Sequence, residues 1–567
     1  MRRLSSACLL SATLAVMAQT PSRMPDRVRR VEADLGSLER FYSIPEGEAR
    51  QARFKAFYQS ELSALAALDR EPLGMEDRID VLLLRQKMAY GLHQLEEEQT
   101  RMKELAPLLP FASALRKLAE DRRLMTPQDP KACAAWLAGF HSDIQALLDG
   151  KLEGLKPSPL QAQRAARTVR ALQKDLESWQ RFYMGYDPLF TWWCERPVKA
   201  LEASLESYHK ALDRLGGVKD KDQIVGDPIG RDALQAALKA QFIAYSPDEI
   251  LELGRREMAW CQVEMKKAAK DMGFGEDWRA ALEKVKNAYV APGGQPAQIK
   301  ALAEEAIRYL EEKDLVTIPP LAKETWRMEM LSPEAQKVSP FFLGGEMIQV
   351  AYPTDSMEQD EKLMSLRGNN TAFARATVHH ELIPGHHLQL FMGDRFQSHR
   401  EAFSTPFLVE GWALYWEMLL WDLGFPRTPE ERLGMLVWRQ HRCARIFFSF
   451  GFHLGQMTPQ QCVDLLVDTV GFERANAAAE VRRSLQGGYG PLYQAAYMVG
   501  GQQLRALNKE LVGGGRMTLK AFHDAVLQSG PIPIELIRFR LKGEVPPANH
   551  APSWRFYPSD LKLSASR

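Results

Sequence analysis

Apolar residues recur at three- and four-residue spacing, with charges between them, along most of the chain. The stretches from Glu61 to Glu98 and from Leu160 to Arg181 show this most clearly. The pattern predicts helix after helix over residues 25 to 225, each with one apolar face. Pro and Gly fall between segments, as in Lys156-Pro157-Ser158-Pro159. A loop rich in Gly, Asp and Pro at 216–230 reads as a boundary between a helical front half and a second half. Ser246-Pro247-Asp248-Glu249 is a good helix start. The helical pattern then runs to about Leu315, with a break at Pro292-Gly293-Gly294. Residues 339 to 354 differ: Phe341-Phe342-Leu343-Gly344-Gly345 followed by Met347 to Tyr352 predicts a short strand or hairpin. From Ala372 the helical pattern returns and persists almost to Arg540. Trp192-Trp193, beside Phe190, reads as core. The expected fold is mainly α and multi-helical, with a small β hairpin or strand near residue 350.

Composition changes this picture little. The 567 residues are enough for two or more packed units. Apolar residues are 45% and charged residues 26%, ordinary for a globular protein. A net charge of +1, with no basic arm and no Cys/His finger spacing, gives no reason to expect a nucleic-acid partner. The N-terminus is more informative. Arg2 and Arg3 precede an apolar run from Ala7 to Ala18, and Val16-x-Ala18 offers a small-residue cleavage pattern before Gln19. Residues 1–18 are therefore expected to be a signal peptide, and the mature chain to be periplasmic or secreted without a stable membrane anchor. Cys133, Cys194, Cys261, Cys443 and Cys462 are scattered and odd in number, so buried free thiols are expected rather than a disulfide framework.

Four of the twelve histidines lie within nine residues: His379, His380, His386 and His387. The segment His380-Glu381-Leu382-Ile383-Pro384-Gly385-His386 opens like the HExxH helix of zinc proteases, where two histidines one turn apart share a metal and the glutamate is a general base. Position 384 is proline, so the plain motif fails. On a regular helix a residue six further on is rotated by about 240° and displaced by about 9 Å, too far to share an ion. Pro384 removes a hydrogen-bond donor and Gly385 permits unusual dihedrals. A looped-out Pro-Gly would return His386 to the place of the second histidine, with His387 the alternative ligand. Downstream lies Glu410-Gly411-Trp412-Ala413-Leu414-Tyr415-Trp416-Glu417. A catalytic zinc commonly takes two histidines and one glutamate and keeps one position open. Glu410 resembles the third ligand that gluzincin peptidases bring from a second helix. Glu417, seven residues on and on the same face, could orient a ligand histidine.

These motifs together resemble the bacterial family known as domain of unknown function 885, grouped with the zinc peptidases of the HExxH clan. The likeness extends to Gln389, to Asp227-Pro228-Ile229-Gly230-Arg231-Asp232, to Pro491, Tyr497 and Gly500, and to Phe522-His523-Asp524. Ser449 departs from it, standing where the family is expected to carry an aspartate. The resemblance implies a zinc-metallopeptidase-like helical fold. Residues 19–225 would form an N-terminal helical region and 226–567 the catalytic region, or 19–567 one continuous family domain. It further implies one zinc ion on His380, His386 and Glu410, and Glu381 as the base. Tyr489, Tyr493 and Tyr497 recur every four residues, and Tyr497, which the family shares, is the expected oxyanion donor. His441, Arg442, Arg445 and His453 are candidates for binding a substrate carboxylate or the oxyanion, and the strand near Met347 for pairing with an extended peptide. The expected substrate is a peptide or another small amide. The alternatives are hydrolysis of a non-peptide amide or ester with the same site, and a non-catalytic helical binding protein that keeps a metal.

Overall fold

A computed structural model describes residues 23–558 apart from 220–221, 337–338 and 340; the expected signal peptide lies outside these residues. Helices follow one another as the periodicity predicts. Seven of them, starting at Pro130, Pro159, Pro188, Pro247, Pro406, Pro429 and Pro459, share one start: a Ser, Thr or Asp cap whose side chain accepts a backbone N–H, then Pro. The cap satisfies a donor the helix leaves free, and proline loses nothing in the first turn. At Ser246 the full reciprocal capping box forms with Glu249.

The helices divide between two large apolar cores. Residues from Leu105 to Leu212 make one. The other joins residues 24–95 to residues 234–556 and surrounds the histidine segment. A buried ionic knot ties the early helices into this second core. Asp80 accepts from Arg400 Nε and contacts His399 Nε2, each at 2.8 Å, and Arg400 also donates to the Ser529 carbonyl at 2.9 Å. No helix among the described residues is long and apolar enough to cross a membrane. The five cysteines from Cys133 onward are free and buried, as their spacing predicts.

One local expectation needs correction. Trp192 is 81% exposed and Trp193 40%, so the pair is not core. Phe190 takes the inward position, packed on Trp179 and Tyr183. Two residues along a helix turn the side chain about 200°, which sends Trp192 outward. The strand expected near Met347 exists, and its main partner comes from earlier in the chain. β2 (Met347–Val350) pairs in parallel with β1 (Arg327–Met330). A parallel partner must return over a longer connection, here residues 331–346. On its other edge β2 makes a single antiparallel bridge, in which Leu343 and Gln349 exchange hydrogen bonds of 2.9 and 2.7 Å.

Candidate metal centre

The histidine helix (Thr371–Glu381) is capped by Asn370, whose carbonyl accepts from Phe373 N–H at 3.1 Å. It ends at Glu381, and a second helix (His386–Gly393) starts at His386. The Pro-Gly break thus falls where the sequence places it. Only glycine fits at 385, because a Cβ there would lie 1.7 Å from the His380 carbonyl oxygen. The break is fixed from outside by Trp412 Nε1–H, which donates to the Pro384 carbonyl at 2.8 Å.

The loop-out brings the two imidazoles together. The His380 and His386 rings are 4.9 Å apart and nearly perpendicular. Both Nε2 atoms face one oxygen, Glu410 Oε2, at 3.6 and 3.2 Å. A tetrahedral ion with ligand bonds of about 2.0–2.1 Å separates its ligand atoms by roughly 3.3 Å, so the spacing fits such an ion. Glu410 Oε2 is buried with no hydrogen-bond partner. An orphaned carboxylate oxygen facing two imidazole nitrogens is expensive unless a cation occupies the space between them. Its other oxygen accepts from the Tyr493 hydroxyl. His380 Nδ1 is 2.6 Å from Glu417 Oε1, which fixes the ring and leaves Nε2 free. His387 turns away, with Nε2 2.9 Å from the Ala322 carbonyl and Nδ1 3.3 Å from that of Glu346.

Glu381 stands beside this cluster, with Oε2 4.0 Å from His386 Nε2, and the ligand atoms of His380, Glu381 and His386 all lie within 4.8 Å of one another. Two carboxylates therefore reach the same space, and their surroundings shift them in opposite directions. Burial raises the Glu381 carboxyl above its ordinary value, against the pull of His380 and His386. Burial also works to raise Glu410, but His386 and His380 outweigh it and hold that carboxyl well below the usual range. Burial likewise opposes a charge on His380, yet the neighbouring Glu410 and Glu417 carboxylates hold its pKa up at about 9. A cation bound here displaces that proton. Glu410 therefore has the character of a permanent anion suited to ligation, and Glu381 that of a carboxylate able to take and return a proton.

The helix carrying Glu410 and Glu417 (Pro406–Asp422) packs tightly on the tyrosine helix (Tyr493–Leu511). Two glycines allow the contact. A Cβ on Gly411 would lie 2.6 Å from Gly500, and one on Gly500 1.8 Å from the Phe407 carbonyl oxygen. This approach places the tyrosine row against Glu410 and His380. Tyr497 Oη donates to Tyr493 Oη at 3.4 Å, and Tyr493 donates to Glu410. Burial and the Glu410 charge push both hydroxyls up, so both remain neutral donors. The Tyr497 ring also stacks 6.1 Å from the His380 ring. Tyr493, not singled out by sequence, makes the closer contact with the ligand set.

All of this opens on a cavity of about 310 Å³ whose lining includes Phe341 to Gly345, His380, Glu381, His386, Glu410 and the three tyrosines. Glycine is required at 344, where a Cβ would lie 2.1 Å from Glu381 Oε2. Of the four proposed carboxylate binders, Arg442 and Arg445 line this cavity. His441 is fully buried, 3.6 Å from Glu480, and the carbonyl of His453 accepts from Gly230 N–H; neither histidine lines the cavity. Arg483 lines it and was missed. No motif surrounds Arg483, so the sequence carries no signal for it. Ser449, in place of the expected aspartate, donates to the Pro491 carbonyl at 3.3 Å. Gln389 donates to the Leu408 carbonyl at 3.1 Å, joining the His386 helix to that of Glu410.

Residues 42–541 match the family described as "Bacterial protein of unknown function (DUF885)". The chain belongs to this family. No curated protein matches the sequence. Two solved structures share the fold. A presumed lipoprotein of unknown function from Shewanella oneidensis aligns with a TM-score of 0.67 at 18% identity, over 92% of this chain and 100% of that one. A presumed lipoprotein from Colwellia psychrerythraea aligns with a TM-score of 0.59 at 15% identity, over 92% of this chain and 98% of that one. At these identities the likeness concerns the fold, a mainly helical DUF885 architecture.

Proposed function

We propose that this DUF885 chain is a zinc-dependent peptidase working outside the cytoplasm. One observation carries the reading: two imidazole nitrogens converge on Glu410 Oε2, a buried carboxylate oxygen with no hydrogen-bond partner. His380, His386 and Glu410 would hold the ion, and Glu417 would keep His380 in the ligating tautomer. A zinc ion held there supplies a Lewis acid and acidifies a water. Glu381, raised by burial and facing the same cavity, accepts a proton from the attacking water and returns it to the leaving nitrogen as the C–N bond breaks. The neutral hydroxyls of Tyr493 and Tyr497, which donate to Glu410 and to Tyr493 here, would turn to donate to negative charge developing on the carbonyl oxygen. A purely structural site would close its coordination with protein groups and would have no use for a proton acceptor beside it. The charged and apolar start of the chain, and the description of both similar structures as presumed lipoproteins, support an envelope or secreted location.

Paired substitutions test the roles. Glu381→Gln keeps the volume and the ligands, so bound zinc stays at one equivalent while peptide hydrolysis falls by about 10² to 10⁴. Glu410→Gln lowers zinc affinity, and its activity recovers in part when zinc is added. Mass spectrometry of a digested peptide mixture reads activity, and elemental analysis reads metal. Wild-type cleavage by zinc-loaded Glu381→Gln would remove the proposed base.

A further inference from the structure

Three guanidinium groups, Arg442, Arg445 and Arg483, line the same cavity as His380, Glu381 and Glu410. Their existing partners differ. Arg442 lies 3.5 Å from Glu417, the carboxylate that holds His380, and stacks over Tyr497 and Trp438. It belongs to the support of the ligands. Arg445 directs Nε and Nη2 at one oxygen of Glu480, at 2.7 and 2.6 Å. Its remaining nitrogen, Nη1, has no partner, although the side chain is only 4% exposed. Arg483 donates Nε–H to the Tyr489 hydroxyl at 3.0 Å, and among the described residues no carboxylate lies within ion-pair distance of it. The cavity thus holds one half-buried guanidinium that feels the Glu480 charge but has no carboxylate within ion-pair distance, and one buried N–H group left over. A buried N–H without an acceptor is costly, and an anion entering beside the half-buried Arg483 would meet both groups.

Resting on the peptidase reading, we propose that Arg483 and Arg445 bind the free C-terminal carboxylate of a short peptide, so that the site removes residues from the C-terminal end. Arginine suits the task because its planar fork meets both carboxylate oxygens. The distance is also suitable. The Tyr497 ring touches both functions, 6.1 Å from the His380 ring and 4.4 Å from the Arg445 guanidinium carbon, which keeps them close. The separation is therefore at most about three residues of extended chain. A cavity of about 310 Å³ is at the small end of ligand sites and accommodates a short terminal segment rather than a long chain. The apolar rings of Phe341 and Trp438 on the lining offer a surface for an uncharged side chain.

The test is equilibrium binding to Glu381→Gln protein, which does not turn the probe over. Three probes are compared by calorimetry: Ala-Ala-Phe as the free acid, the same peptide as its C-terminal amide, and the amide of Ala-Ala-Glu. A charge-assisted contact to the terminal carboxylate makes the free acid bind at least about 10-fold more tightly than its amide. Arg483→Met abolishes most of that preference, and Arg483→Lys, which keeps the charge without the fork, retains part of it. Equal affinity for acid and amide, no binding of either, or an undiminished preference in Arg483→Met would overturn the proposal. Binding of the Ala-Ala-Glu amide as tight as that of the free acid would overturn the C-terminal assignment in favour of a side-chain carboxylate. Should wild-type protein hydrolyse none of these peptides while the free-acid preference and its loss in Arg483→Met persist, the carboxylate site stands and the peptidase reading falls.

Discussion

Replacing Gly500 by alanine should separate two helices that must touch for the site to exist. An alanine is worth up to about 1 kcal/mol over glycine inside a helix, so propensity alone favours the change. The structure reverses the sign. The new Cβ would sit 1.8 Å from the Phe407 carbonyl oxygen and 2.9 Å from Gly411 Cα, both backbone atoms that cannot rotate away. Relief requires the tyrosine helix and the Glu410 helix to part by more than about 1 Å, an overpacking strain of about 1–3 kcal/mol. Glu410 follows Phe407 by three residues, so the ligand moves with its helix, and a 1 Å misplacement can cost about 100-fold in rate. Gly501, the next residue, is the internal control. A Cβ there meets only Leu414 side-chain atoms, at 3.4 to 3.5 Å, an ordinary contact. Gly501→Ala should therefore be neutral or stabilised by up to about 1 kcal/mol. Urea unfolding midpoints and zinc affinity by chelator competition measure both variants. Gly500→Ala with the stability and zinc affinity of Gly501→Ala would refute the argument that this backbone contact sets the ligand position.

Glu417→Gln should weaken zinc binding by about 10- to 100-fold without unfolding the protein, because the amide orients His380 less firmly; chelator competition checks this. Gly344→Ala should suppress hydrolysis more than metal binding, since its Cβ would collide with Glu381 rather than with a ligand; rate and zinc content measured together decide. Acid should destabilise the fold through a buried neutral histidine. Burial pushes His523 down to about 4, against the Leu315 carbonyl and Asp524, and its neutral ring bridges Leu315 and Tyr415. An unfolded histidine protonates near pH 6.5, so this stability is full above about 6.5 and is lost as the pH falls toward 4, to about 3 kcal/mol. Unfolding midpoints across that window should fall less steeply in His523→Gln than in wild type, and equal slopes would remove His523 from the account.

Much of this site is legible in sequence because local chemistry encodes it. The Pro384-Gly385 pair forces a break, and counting helix rotation across it selects His386 over His387. Glu410 and Glu417 are one face of one helix, so a seven-residue spacing fixes their relation. Ser246 and the other cap-proline starts are equally local. What sequence did not disclose depends on contacts between distant segments. Arg483 gains its meaning only by reaching the cavity from another helix, next to Tyr489. Tyr493 and Tyr497 share a helical face, and only the approach of Gly500 to Gly411 decides that Tyr493 meets Glu410. β1 is short, largely exposed and charged, without the alternation that reveals a strand. Trp192 misleads because aromatic character suggests burial, while its place two residues from Phe190 turns it to solvent.

The central claim is a single ion held by His380, His386 and Glu410. The most direct measurement is anomalous diffraction at the zinc edge from crystals of the protein loaded with one equivalent of zinc. The account predicts one peak, with His380 Nε2, His386 Nε2 and a Glu410 oxygen each at about 2.0–2.2 Å, and Glu381 outside bonding distance. A peak coordinated by His387 in place of His386, or no peak among these residues at all, would contradict it.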